Sequence, residues 1–174
     1  DTDHPEDPDN AAGTTFSNSL PSPALNVANF ASARRSLMKF KRENGLPVAP
    51  PRKLLLLVPP DLETTARTIL TMESIAPSSA TGGNANSIQQ QNVMLRLADL
   101  QINPYLTSTT RWFLLNGGQR IKPLLFQRRQ AVELIRKDRP DDDNVFERKE
   151  YLYGADARYT GSYTFPHLGI CADA

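Results

Sequence analysis

One long apolar stripe near the start of the chain limits its possible folds more than any other feature. Apolar residues there recur at spacings of three and four, which predicts one face of an α-helix. These residues are Val27, Phe30, Ala33, Leu37 and Phe40. Ser22 or Asn26 can cap the start of the helix, and Gly45 followed by Pro47 can end it. A helix from Asn26 to Asn44 would be about 28 Å long at 1.5 Å per residue, with Phe30, Leu37 and Phe40 buried beneath it.

The rest of the sequence predicts strands, loops and one further helix. Strands are predicted at Lys53–Val58, Val93–Leu97, Arg111–Leu115, Pro123–Gln127 and Val132–Lys137, with turns at Asn116–Gln119 and near Gln130. The second helix is predicted from Asp61 to about Ser74, and Ser74–Gln91 is a low-complexity segment that predicts a mobile surface loop. In the tyrosine-rich segment Glu150–Tyr163, Gly154 and Gly161 predict bulges or turns. This order of elements is typical of the α+β class.

The charge balance and the apolar runs exclude several classes of protein. The net charge is +1, from 20 basic and 19 acidic residues, so no whole-chain field attracts nucleic acid or an anionic membrane. The longest apolar run, Leu54–Val58, is far shorter than the roughly 18 residues that span a bilayer. Cys171 is the single cysteine, which excludes an internal disulfide and a cysteine metal cluster. Because the chain starts at Asp1 and not at Met, we expect it to begin inside a longer polypeptide.

Residues suited to catalysis or metal binding are scarce. The acidic start carries Asp1, Asp3, His4, Asp7 and Asp9, but Pro5 occupies a ligand position of a calcium loop. The histidines, His4 and His167, lie at opposite ends of the sequence, and His167 is expected to have a packing role. No nucleophile, zinc, phosphate-loop or dinucleotide motif is present. We therefore predict no catalytic residue, no metal site and no cofactor.

Blocks of opposite charge are the remaining candidates for a functional surface. Such blocks can fix the register of subunit contacts. The candidate subunit-contact residues are Arg34, Arg35, Lys39, Arg42, Arg128, Arg129, Arg136, Asp141, Asp142 and Asp143. Two alternatives stay open at this point: the basic residues of Arg34–Arg42 could contact nucleic acid, and the acidic clusters could contact a metal ion.

Several segments occur in the order found in one family of phage proteins. They are Asp1–Pro5 (DTDHP), Ala31–Arg34 in the first helix, Leu54–Ala66, Arg120–Gln127 (RIKPLLFQ), Glu133–Leu134, Asp141–Phe146 (DDDNVF), Glu150–Arg158 (EYLYGADAR) and Gly161–Tyr163. In this succession the chain resembles the major head subunit of Mu-like phages and prophages over about three quarters of its length.

The resemblance implies the tailed-phage capsid fold named after Hong Kong phage 97. The first helix would be the spine of a peripheral domain, and the N-terminal arm and most of the extended loop would precede Asp1. The implied divisions are an arm remnant at 1–22, a peripheral domain with the spine helix at 23–58, an axial domain at 59–144 that includes the loop 74–91, and a return to the peripheral domain at 145–174.

The resemblance also implies a function. The protein would be a structural capsid subunit, and not an enzyme, that self-assembles into pentamers and hexamers of an icosahedral shell. The shell would enclose DNA without sequence-specific binding, and the subunits would also meet scaffold, decoration and portal proteins but no membrane. The expected location is the virion, with assembly in the bacterial cytoplasm. An encapsulin-like compartment protein is the alternative with the same fold.

Overall fold

The computed structural model describes residues 4–5, 15–20, 24–41, 45–48, 50–75 and 90–172. The chain divides into two units, one formed by Asp1–Pro123 with Thr164–Ala174 and one formed by Leu124–Tyr163. We call them the sheet unit and the ribbon. The described strands are β1 (His4–Pro5), β2 (Thr15–Phe16), β3 (Ser19–Leu20), β4 (Leu54–Val58), β5 (Ser74–Ile75), β6 (Gln90–Gln91), β7 (Ala98–Ile102), β8 (Trp112–Asn116), β9 (Leu124–Lys137), β10 (Leu152–Tyr163) and β11 (Gly169–Ala172). The described α-helices are α1 (Val27–Lys39), α2 (Glu63–Thr71) and α3 (Asp143–Arg148). The chain is therefore α+β, as predicted.

A five-stranded mixed sheet in the order β3-β11-β8-β4-β7 forms the centre of the sheet unit. The pairs β3–β11 and β4–β7 are parallel, and the two pairs that involve β8 are antiparallel. Leu54, Leu56 and Val58 alternate with half-buried residues along β4, so one face of the sheet is directed into the core. The predicted strands at Lys53–Val58 and Arg111–Leu115 are confirmed within one residue at each end.

The core of the sheet unit lies between this sheet and the helices. Phe30, Ala33 and Leu37 of α1 are buried, as are Ala66, Ile69 and Leu70 of α2. They belong to one apolar cluster with sheet residues that include Trp112, Leu114 and Ile170. Phe30 is fully buried and Phe40 retains only 8% of its exposure. The predicted burial of Phe30, Leu37 and Phe40 is thus confirmed.

Helix α1 is shorter than predicted. Asn26 is its N-cap, with a side-chain oxygen that accepts a hydrogen bond of 2.8 Å from the backbone N–H of Asn29. The helix ends at Lys39, so its 13 residues span about 20 Å at 1.5 Å per residue. Phe40 leaves the helical conformation with ψ 135°, because its ring lies in the core and its carbonyl accepts from the N–H of Val48. Gly45 does have a positive φ of 73°, but it lies five residues after the C-cap, Phe40.

The strand predicted at Val93–Leu97 is wrong. These residues form turns in which Arg96 has a φ of 55°, and the strand β7 begins just after them. Asn92 is the cause, because its buried side-chain amide donates hydrogen bonds of 2.7 and 2.8 Å to two carbonyls at the end of α2. Its oxygen accepts from the N–H of Met94 at 2.9 Å, which holds the segment in a turn.

The low-complexity segment falls largely outside the described residues. Its ends, Ser74–Ile75 and Gln90–Gln91, pair as short antiparallel strands, so the prediction of no regular structure is wrong there. Residues 76–89 lie outside the described ranges.

The helix predicted from Asp61 is confirmed as a short 3-10 turn, Pro60–Leu62, that leads into α2. The packing role of His167 is also confirmed, since its ring centroid lies 4.3 Å from that of Phe16.

The ribbon consists of one long antiparallel pair and the turn that joins its strands. The strands predicted at Pro123–Gln127 and Val132–Lys137 are a single strand, β9, which pairs with β10. The turn predicted near Gln130 is therefore wrong. Two register shifts occur in its place, on either side of Arg158, and β9 contributes one additional residue at each. Gly154 and Gly161 lie in regular pairs opposite bulky apolar residues, Ile135 and Phe126, so neither forms the predicted bulge or turn.

Candidate subunit interface

The ribbon exposes nearly all of its apolar side chains. Of residues 124–163, all of which the structure describes, none is buried. The large apolar side chains exposed on β9 and β10 are Leu124, Leu125, Phe126, Val132, Leu134, Ile135, Leu152, Tyr153, Tyr159 and Tyr163. A two-stranded ribbon is marginally stable in water by itself, and exposed apolar patches of this kind mark interaction sites. The ribbon is therefore the strongest candidate for an interface.

The strand register sorts these side chains onto two faces. Successive residues of a strand point to opposite faces, and directly paired residues share a face. One face carries Tyr153, Ala155, Ala157, Tyr159, Gly161 and Tyr163 from β10 with Leu124, Phe126, Arg128, Leu134 and Arg136 from β9. We call it the tyrosine face. The rings of Phe126 and Tyr159 stack on it with their centroids 5.8 Å apart, which agrees with the register.

The tyrosine face has the composition of a protein interface. Arg128 is paired with Tyr159, and Arg136 is paired with Tyr153. Tyrosine and arginine are both enriched at interfaces, where they contribute large contact areas and directed hydrogen bonds. Tyr163 is 82% exposed at the end of the strand. The aromatic side chains of this face are therefore exposed in a single copy, although their composition is typical of a surface that contacts another protein.

The opposite face of the ribbon is mainly polar. It carries Asp156, Arg158, Thr160 and Ser162 with Gln127, Gln130, Glu133 and Lys137, and also Leu125, Ile135 and Leu152. The side chain of Gln130 donates a hydrogen bond of 3.2 Å to Asp156, which joins the two sides of the register shift. Near the shift, an open concavity of about 340 Å³ is lined by Gln127, Arg158 and Thr160 of this face, by Arg129, and by Tyr159, which the register assigns to the tyrosine face.

An acidic turn closes the far end of the ribbon. A carboxylate oxygen of Asp142 accepts a 3.0 Å hydrogen bond from the N–H of Arg139. Asn144 donates to the carbonyls of Lys137 at 3.2 Å and of Glu150 at 2.6 Å, and Lys149 adopts the left-handed conformation with a φ of 54°. These contacts fix a compact turn. They leave Asp141 and Asp143 exposed at its surface, and we call Asp141, Asp142 and Asp143 the acidic tip.

The ribbon brings together six of the ten residues predicted as subunit contacts. These are Arg128, Arg129, Arg136 and the three residues of the acidic tip. Arg34, Arg35 and Lys39 lie on α1 in the sheet unit, and Arg42 lies outside the described residues. Arg136 approaches Asp138 at 3.9 Å, whereas Arg128 and Arg129 have no acidic partner among the residues that the structure describes.

The sequence-based reasoning missed the tyrosine face. The signal that could have found it is the even spacing of Tyr153, Tyr159 and Tyr163, which are separated by six and four residues. An even spacing places all three on one side of a strand. The described residues show no group of three His, Cys, Asp or Glu side chains that could share a metal ion. Among the same residues, no helix combines the length and apolar character needed to cross a bilayer.

Comparison with known proteins identifies related sequences and one related fold. The family model described as "Mu-like prophage major head subunit gpT" matches residues 19–106 and 99–174. A stretch of 59 residues is 39% identical to the major capsid protein of Escherichia phage Mu and covers 34% of this chain and 19% of that protein. A stretch of 84 residues is 27% identical to the Mu-like prophage FluMu major head subunit of Haemophilus influenzae and covers 48% of this chain and 26% of that protein.

A solved structure from Mycobacterium phage Patience has a similar fold. The match has a TM-score of 0.50 at 13% sequence identity and covers 99% of this chain and 49% of that chain. At this identity the likeness concerns the fold alone. The chain thus spans about half of that solved chain, and its alignments span smaller shares of the two curated relatives.

Proposed function

Because the chain belongs to the Mu-like prophage major head subunit gpT family, we propose that it is a structural capsid subunit of a Mu-like tailed phage or prophage. Its copies would assemble into an icosahedral shell that encloses DNA. The observation that carries this proposal is the ribbon, whose tyrosine face is exposed along the whole length of two long strands. A shell subunit must offer such surfaces to its neighbours, because it is stabilised by contacts between copies.

The charge of the ribbon supports close packing of identical copies. Residues 124–163 contain eight basic and eight acidic side chains, so adjacent ribbons carry no net charge that would repel. Side chains of both signs on one surface favour specific alignment of neighbours. Contacts between different patches of neighbouring copies can close into rings. Pentamers and hexamers are the rings that we propose.

We propose the Hong Kong 97-type fold for the complete subunit. The match to the Mycobacterium phage Patience structure over 99% of this chain supports a phage-type fold. The division into peripheral segments at 23–58 and 145–174 around an axial segment at 59–144 is a further proposal. Tracing this sequence in a density map of the assembled particle would test both.

The proposed partners follow from the same role. The principal partner is a second copy of the protein, and scaffold, decoration and portal proteins are further proposed partners. The subunit would enclose DNA without reading its sequence, since the chain has a net charge of only +1 and no excess of basic residues to attract phosphates. We place the mature protein in the virion and its assembly in the bacterial cytoplasm.

Electron microscopy of particles tests this function. The gene that encodes this chain is expressed together with its neighbouring head genes, and the lysate is fractionated and imaged in negative stain. We expect closed icosahedral particles of uniform diameter in which this protein is the main component. Soluble monomers alone, with all the head proteins present, would contradict the proposal, and particles that package a cargo protein and no DNA would favour an encapsulin-like compartment.

A further inference from the structure

Two arginines on the ribbon lie at the concavity without an acidic partner. Arg129 and Arg158 both line it, together with Gln127, Tyr159 and Thr160. Arg129 is the additional residue of β9 between the pairs Arg128–Tyr159 and Gln130–Arg158, so it has no cross-strand neighbour. Neither Arg129 nor Arg158 forms an ion pair with any residue that the structure describes. Two guanidinium groups beside one concavity can bind carboxylates through paired hydrogen bonds.

The acidic tip lacks cationic partners in the same way. Asp141 and Asp143 are exposed, and within the described part of the chain neither carboxylate lies in an ion pair. Asp142 is only half buried, and its contact is with a backbone N–H. The ribbon thus carries a cluster of unpaired arginines near its middle and a cluster of unpaired carboxylates at its end.

The two clusters cannot meet within one copy. The tip follows Lys137, the last residue of β9, and Arg129 lies eight residues before it on the same strand. At about 3.3 Å per residue in a strand, roughly 26 Å separates the two sites along the ribbon. A direct ion pair needs the charged atoms to lie within about 4 Å. The complementary charges can therefore be paired only between two molecules.

We propose that the acidic tip of one copy docks in the arginine concavity of a neighbouring copy. This inference rests on the proposed function, because it takes self-assembly as given and names the surfaces that meet. The contact is head-to-tail: each copy uses its tip on one neighbour and its concavity on another. Such a contact repeats from copy to copy and closes a ring when the rotation allows.

The polar face around the concavity favours a protein partner over nucleic acid. Asp156 and Glu133 are paired with each other on the same face, two residues along β10 from Arg158. Their negative charges oppose a phosphate backbone that runs along the ribbon. The acidic tip is a compact turn, so it can contact the two arginines of the concavity without extending along the strand to Asp156 and Glu133. Binding of DNA to this surface is the outcome that would compete with docking of the acidic tip.

Charge exchange between the two sites tests the contact. One variant combines Arg129→Glu with Arg158→Glu, and the other combines Asp141→Lys with Asp143→Lys. Self-association of the chain is measured by sedimentation velocity over a range of concentrations at low ionic strength. We expect each variant alone to associate at least about tenfold more weakly, because the exchange places like charges at the point where the two sites would meet.

An equal mixture of the two variants provides the decisive comparison. In the mixture, a Lys tip can dock on a Glu concavity and an Asp tip on an Arg concavity wherever the two variants alternate, as they can around a hexamer. Association should therefore recover to near that of the unmodified chain. A control variant, Arg52→Glu with Arg120→Glu, makes the same charge change at two exposed positions of the sheet unit and should associate normally. Unchanged melting temperatures of all the variants would show that they fold.

The possible results separate this contact from the broader function. Weak association of each variant with no recovery in the mixture would overturn the contact. Unchanged association of the arginine variant with loss of binding to duplex DNA would also overturn it. If the unmodified chain associates and both variants do so equally well, the contact is overturned while the capsid function stands. If the unmodified chain does not associate at all, the proposed function itself is contradicted.

Discussion

The sheet unit and the ribbon use similar compositions in opposite ways. Of the 40 residues of the ribbon, 16 are hydrophobic, a share close to the 39% of the whole chain. The sheet unit buries a core of large apolar side chains, in which Trp112 and Phe30 retain none of their exposure. The ribbon buries none, and it carries four of the five tyrosines of the chain. The difference between the units therefore lies in where the apolar groups face and not in how many there are.

This difference indicates two sources of stability in one chain. Burial of the core stabilises the sheet unit within a single copy, by about 25 cal/mol for each Å² of apolar surface removed from water. The ribbon gains little from such burial until a partner covers its tyrosine face. Substitutions in the two regions should consequently affect different measurements: the free energy of unfolding for the sheet unit, and the affinity between copies for the ribbon.

The largest expected effect is on the stability of the sheet unit. Replacement of the fully buried ring in Phe30→Ala removes core contacts and leaves a cavity, which should lower the free energy of unfolding by about 3–5 kcal/mol. Tyr105→Ala, at a side chain that is 90% exposed in the same unit, is the control and should change it by less than about 0.5 kcal/mol. Chemical denaturation measures both. Equal stability of the two variants would contradict the burial of Phe30.

The next effect separates the two faces of the ribbon. Tyr163→Ala removes an aromatic group from the tyrosine face and should weaken association between copies by about 2 kcal/mol, with little change in the unfolding of the free subunit. Ser162→Ala, one residue earlier and on the polar face, is the matched control and should leave association unchanged. Sedimentation equilibrium measures both affinities. A greater loss for Ser162→Ala would show that the polar face is the buried one.

The smallest effect compares two glycines. A methyl group on Gly118 would lie 2.7 Å from the backbone nitrogen of Lys53, and the backbone cannot easily move away, so Gly118→Ala should destabilise the sheet unit by about 1–2 kcal/mol. A methyl group on Gly154, in the ribbon, would meet nothing within 4 Å. Gly154→Ala should therefore leave the melting temperature nearly unchanged. A similar loss of stability from both would mean that the ribbon is as closely packed as the sheet unit.

Much of the sheet unit could be predicted from local patterns in the sequence. Spacings of three and four placed Phe30 and Leu37 on the buried face of α1, and the run Leu54–Val58 marked the buried strand β4, because burial follows the periodicity of each element. The end of α1 could not be predicted so well. It depends on the burial of the Phe40 ring in the core and on the hydrogen bond from the Val48 N–H to the Phe40 carbonyl, and both contacts lie outside the helix.

The ribbon was harder to predict because its two strands depend on each other. Gln130 separates two apolar runs and was taken as a turn, but pairing with β10 carries the strand through it. The tip residues Asp141–Asp143 and the arginines were singled out as contacts from charge alone, and that role stays a prediction. Which face of the ribbon is apolar became clear only from the register. Pairing between distant segments is what a single sequence shows least directly.

Footprinting of the tyrosines tests whether copies of the protein meet through the tyrosine face. Hydroxyl-radical labelling is compared between assembled particles and dissociated subunits, with mass spectrometry to read each tyrosine and Tyr105 of the sheet unit as the internal reference. We expect Tyr153, Tyr159 and Tyr163 to be labelled readily in free subunits and to be strongly protected in particles. Equal labelling of these three tyrosines in both states would contradict the claim that the tyrosine face is where copies of the protein meet.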